Sequence, residues 1–224
     1  MVLLAPRPFS ISPPFEAVAA HGAAFKAALS PADLDQLLLA RGCFHAAWLA
    51  PLALYTVLEP RPRLFPMSVS WTVRRGLPRV VHQACWVAGW ALFVGTAVRS
   101  TGRSFVSGFA AQMFATGAVA TIACPLGSGR RLQDAVHWFA ALLYITDHTV
   151  LFGLLSMPRR FVAGFWACFG LMAASQPATT PDAARQEARR RGTAAESRVA
   201  EACFMLGEYG LFVTFICGML AGLR

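Results

Sequence analysis

Residues 132–155 read LQDAVHWFAALLYITDHTVLFGLL, a stretch apolar enough to cross a bilayer that nevertheless holds Asp134, His137, Asp147 and His148. On a helix advancing 100° per residue, Tyr144 falls about 20° to one side of His137 and His148 about 20° to the other. With Asp134 about 60° from His137, Asp134, His137, Tyr144 and His148 form one stripe, and Asp147 sits at its edge. An imidazole titrates near neutral pH and can take or give a proton. A second acidic group stands in the apolar run near the end of the chain, AEACFMLGEYGLFVTFICGML, where Glu201 and Glu208 are seven residues apart on one face. Gly207 and Gly210 flank Glu208 and Tyr209. Small residues at such positions let another helix approach closely.

An ionisable side chain inside a membrane is expensive and faces the protein interior or water. The plainest role for such groups is interhelical hydrogen bonding, worth about 0.6–2 kcal/mol each. A chemical role needs His137, Tyr144 and Glu208 to share one interior. They would then form the catalytic group of a site that binds a lipid or acts on its acyl ester. Haem binding is an alternative. His82 and His137 begin helices that start on one membrane face, and His45 and His148 lie toward the other. Two axial pairs are permitted by that order, and neutral imidazole ligates haem. The alternative is a b-type haem cytochrome; the lipid reading needs no cofactor.

The elements that position these residues are legible as apolar windows. The chain is 56% hydrophobic and 14% charged, with a mean hydropathy of +0.51, the balance of an integral membrane protein. A span needs about 20 mostly apolar residues. Windows at 38–58, 80–98, 105–124, 132–155, 159–175 and 200–222 meet that need, which predicts an all-α bundle of six transmembrane helices. They are too long and too uniformly apolar for barrel strands. Residues 1–36 read as an N-terminal tail. Within it 15–29 suits a weakly amphipathic interfacial helix, and the scarcity of acids suits an organelle presequence.

The net charge is +9, and Lys26 is the single lysine among 20 Lys and Arg residues. The arginines form short clusters between apolar runs, as loop charges beside membrane spans do. That pattern excludes nucleic acid as the partner and favours lipid headgroups. Arg74, Arg75, Arg130 and Arg131 precede the second and fourth spans, so they lie at one end of the bundle as a phosphate-binding rim. Positive-inside counting places the termini away from the cytosol. The six cysteines make no CxxC, so neither a zinc ribbon nor a redox dithiol is present, and they read as buried small hydrophobes. GxSxG, HExxH, P-loop and metal-loop motifs are absent from the sequence. LGSGRR reads as a turn with interfacial arginines.

FPMSVSWTVRRGLPRVVHQACWVAGW, FMLGEYGLFVTFICGML and the position of His137 together carry a family resemblance. The chain resembles the six-helix membrane family that includes the damage-regulated autophagy modulators and the GPI-anchor lipid-remodelling proteins of the Golgi. Members have a Pro-x-(Ile/Val)-Ser element in the first large loop, matched around Pro66, Met67, Ser68, Val69 and Ser70. They have a histidine near the start of the fourth helix, matched by His137, and a Glu-Tyr or Glu-Trp pair in the sixth, matched by Glu208 and Tyr209. The resemblance implies an endomembrane protein, in the ER or Golgi, that acts on or with lipids. In the GPI branch the implied activity is exchange of the anchor's fatty chain. The further alternative, from the many aromatic residues and the missing catalytic templates, is a non-catalytic accessory subunit of a larger membrane complex. Its partners would be membrane lipids and other membrane subunits.

Overall fold

The computed structural model describes residues 13–58, 73, 76–123, 131–175 and 194–223. Among these the chain forms seven helices and no strand. They are α1 (Pro13–Ala28), α2 (Pro31–Leu58), α3 (Gly76–Thr101), α4 (Phe105–Ala118), α5 (Arg131–Leu154), α6 (Arg159–Ser175) and α7 (Ala194–Leu223); α4 runs on into a π-helical turn, Val119–Ala123. Five are long and apolar enough to cross a membrane: α2, α3, α4 with its π turn, α5 and α7. The chain is thus built as a multi-pass helical membrane protein. The 17 residues of α6 rise about 25 Å, at the short end of what a bilayer core requires.

α2 lies along α3, α3 on α4, α4 on α5, and α6 along α7; α7 also meets α2. The aromatic residues fill the centre. Trp48 of α2 stacks on Phe212 of α7 with centroids 3.6 Å apart, and Phe215 of α7 meets His148 of α5 at 4.7 Å. α1 crosses one end of this assembly. Its Gly22 lies on the main chain of Leu154, leaving no room for a Cβ, and its Phe25 is fully buried 6.4 Å from Phe93.

Local chemistry explains where the helices begin and end. Ser30 caps α2: its Oγ accepts from the Asp33 N–H at 3.2 Å, and the Asp33 carboxylate accepts from the Ser30 N–H at 3.1 Å. That box, with Pro31 at the first helical position, starts α2 seven residues before the apolar window at 38. The expected tail of residues 1–36 therefore ends inside α2. His45, expected near the start of its helix, stands in the middle of α2. Gly102, with φ +64°, ends α3 by donating its N–H to the Val98 carbonyl at 2.8 Å. Ser104 then caps α4, its side chain and that of Ser107 satisfying each other's backbone N–H.

Candidate functional site

α5 turns the expected stripe inward. His137 and His148 are buried, at 7% and 1% exposure, while Leu142 and Leu143 between them face outward. Tyr144 sits between Trp86 and Trp90 of α3, with centroids 6.4 and 6.0 Å away, and against Gly117 of α4. Both indole N–H groups come near its hydroxyl. The Trp90 approach is too loose to be a hydrogen bond. Asp147 departs from the stripe. It points to the outer wall, where its carboxylate accepts from Gln112 Nε2 at 3.3 Å.

Backbone geometry fixes the histidines. Pro51 interrupts α2, and without an N–H it cannot bond the carbonyl four residues back, that of Ala47. His82 of α3 fills the place: its Nδ1 lies 2.7 Å from the Ala47 oxygen. A similar exchange occurs at the far end of α4. In the π turn, Gln83 Nε2 donates to the Thr121 carbonyl at 3.1 Å, and His137 Nδ1 lies 2.8 Å from the Ala120 carbonyl. A carbonyl only accepts, so in each histidine Nδ1 carries a proton and donates it to the main chain. In lipid every main-chain polar group needs a protein partner, which is why such bonds are made.

These residues meet at one depth. Trp86 and Trp90 bracket Tyr144, so His82 and His137, four and seven residues earlier on parallel helices, lie within about a turn of each other. Trp48 touches both His82, at 4.8 Å, and Phe212. Glu208 is one turn, about 6 Å, from Phe212 toward the same end. Glu208 also shares its stripe with buried Leu211 and Phe215, so it belongs to the inward side of α7 and is half-buried there. Three helices thus supply His82, His137 and Glu208 to one polar layer between α1's opposite end and the aromatic centre.

Nothing among known protein families, curated proteins or solved structures matches this chain. The site must therefore be read from its own geometry.

Of the residues expected to act, His137, Tyr144 and Glu208 lie in the interior. Arg74, Arg75 and Arg130, and the Arg131 side chain, fall outside the described residues, as do the side chains of Asp134 and Glu201. The haem pairs find a mixed setting. All four histidines, His45 included through Arg41, hold Nδ1 against a main-chain carbonyl, the arrangement of a metal-ligating imidazole. The space around the rings does not suit a macrocycle. His148 is enclosed by Tyr144, Phe152, Phe165 and Phe215 with centroids 4.7 to 6.0 Å away, and His82 has the Trp48 ring against it. No step is derived through haem.

The cysteines differ from expectation. Cys43, Cys85, Cys168 and Cys203 are half-buried and Cys217 is exposed; Cys124 lies outside the described residues. On a membrane protein the outer surface is itself apolar, so a thiol need not be interior to leave water. Sequence reasoning missed Gln83 and the π turn. It also missed the link between Pro51 and His82, whose signal was a proline inside one span facing a histidine in the next.

Proposed function

We propose that this chain is a six-span membrane protein that binds a lipid at the polar end of its helical assembly, with α6 as the fifth span. What carries the reading is the convergence of His82, His137 and Glu208, from three different helices, on one interior depth. The imidazoles and the Glu208 carboxyl are groups that exchange hydrogen bonds with the hydroxyls of a lipid headgroup. Trp48, partly exposed and packed on His82 and Phe212, offers an apolar surface to an acyl chain. The loop arginines Arg74, Arg75, Arg130 and Arg131 enter the bundle at this end by chain order, and they suit a lipid phosphate. If the lipid is processed, His137 takes the proton of the attacking hydroxyl as its oxygen bonds the acyl carbon and returns it to the alcohol oxygen that leaves, and Glu208 stabilises the imidazolium in between. The resemblance to GPI-lipid remodelling and autophagy-modulating proteins supports a lipid of an ER or Golgi-type endomembrane.

The test is to purify the full chain in mild detergent and identify co-purifying lipids by mass spectrometry. One lipid class should be enriched in the wild type and reduced at least tenfold in Glu208→Gln and His137→Gln, with membrane insertion unchanged. Equal lipid profiles in wild type and variants would overturn the reading.

A further inference from the structure

The outer wall formed by α4 and α5 carries a polar pair where lipid would be expected. Asp147 is half-exposed, Gln112 is exposed, and the Asp147 carboxylate accepts from the Gln112 side-chain amide at 3.3 Å. Asp147 lies seven residues before Leu154, the last residue of α5, hence roughly 10 Å inside the helix end. A carboxyl at that depth is costly beside acyl chains. Its neighbours along the wall, Leu142, Leu143 and Phe139, are exposed and apolar, as a lipid-facing surface requires. On α4 the residues beside Gln112 are small. Gly108, Ala111 and Ala115 all face outward, and a Cβ added to Gly108 would meet nothing within 4 Å.

We propose that this wall is the interface for a second copy of the same chain. Hydrogen-bond complementarity selects that occupant. The Gln112 amide has two N–H donors, of which one is used on its own Asp147, and the Asp147 carboxylate retains acceptor sites. A two-fold axis along the membrane normal, beside α4, sets the same residues of both copies at the same depth. The free N–H of each Gln112 then reaches the partner's carboxylate, and donor and acceptor are matched by symmetry. Gly108, Ala111 and Ala115 allow the close backbone approach that helix association in lipid depends on, since lipid tails give apolar side chains no drive to associate. The interface is separate from the polar layer around His137, so its test does not depend on the lipid reading.

The full chain is reconstituted into phosphatidylcholine vesicles over a range of protein-to-lipid ratios and its oligomeric state measured by energy transfer between labelled copies. A dimer is expected. Ala115→Cys should cross-link between copies above the wild-type background on mild oxidation, and Val213→Cys, exposed on α7, should not. Combining Gln112→Leu with Asp147→Leu should weaken dimerisation at least tenfold, whereas Asp147→Asn, which keeps an acceptor, should stay near wild type. Ala115→Trp fills the small-residue face without touching the polar pair and should also give monomers. A chain that is monomeric at every ratio overturns the proposal, as does a dimer indifferent to these changes. So does a monomer that binds a leucine-rich single-span peptide bearing one lysine through Asp147, since the wall would then serve a foreign helix.

Discussion

α2–α3 and α6–α7 are the two extended antiparallel pairs of the molecule, and they are joined by different means. Between α6 and α7 the contact is main chain on main chain. A Cβ on Gly207 would stand 2.7 Å from the Cys168 carbonyl oxygen and 2.8 Å from the Met172 nitrogen. Gly210 and Gly164 make room for side chains of the facing helix, Cys168 and Thr214. Between α2 and α3 the contact is made by large rings and by polar side chains: Phe44 against Trp90 at 5.4 Å, Trp48 against His82, His82 on the Ala47 carbonyl, and, at the other end of the pair, Thr96 and Arg99 on Gln36 with Arg99 paired to Asp33. The first pair is drawn together by its small residues, which let the two helices approach closely. The second accepts a proline-interrupted helix, and repairing that interruption puts a fixed imidazole in the interior. The polar layer is thus partly a consequence of how α2 is built.

Substitutions separate the two modes. Trp90→Ala in the ring-packed pair should cost the most, about 4 kcal/mol, because Trp90 is 1% exposed and its loss leaves a large void. Detergent-titrated unfolding followed by circular dichroism measures it. Gly207→Leu should cost roughly 3 kcal/mol, since two backbones must part to admit the side chain. Gly170→Leu on α6 is the control. A Cβ there meets nothing within 4 Å, so stability should be unchanged or slightly higher. If Gly207→Leu and Gly170→Leu behaved alike, close main-chain contact would not be what holds α6 to α7.

His82→Leu sharpens the distinction further. It leaves the Ala47 carbonyl buried with no donor and should cost about 2 kcal/mol. Pro51→Ala restores the N–H that α2 lacks and returns that carbonyl to its own helix. In the Pro51→Ala background His82→Leu should therefore cost at least about 1 kcal/mol less than in the wild type, a coupling that a double-mutant cycle reads directly. Additive effects would mean that the proline and the histidine act independently, and that His82 is held in place for some other purpose.

Much of this was legible beforehand, for reasons particular residues make plain. Length and apolarity placed α3, α4 and α5 within a few residues, because in lipid those two properties nearly suffice. The 100° rotation placed His137, Tyr144 and His148 inward correctly, and the small residues at Gly207 and Gly210 marked a close contact. Asp147 was not readable, because an edge position on a helical wheel turns inward or outward according to a neighbour, and Gln112 sits 35 positions away in sequence. The true start of α2 was hidden because Ser30 and Asp33 act through capping, which hydropathy does not register. His82 was noticed as a ligand when its visible bond is to main chain: the hole it fills is made by Pro51, on another helix, and only the pairing of α2 with α3 shows it.

The smallest expected effect tests whether the ring-packed half also depends on its turn. Ser104 joins α3 to α4 by accepting from the Ser107 N–H at 3.3 Å and by a 2.7 Å hydroxyl contact with Thr101. Ser104→Ala removes both, while Ser107 keeps its 2.8 Å bond to the Gly102 carbonyl. Loss of an N-cap costs about 1 kcal/mol. The retained Ser107 bond and the left-handed Gly102 should hold the turn's shape, so the penalty should remain at that level and not reach that of His82→Leu. A larger loss would move the weight of α3 and α4 from their packed rings to their connection. The glycine-joined α6–α7 pair would then stand apart, among the described helices, as one held chiefly by direct helix contact.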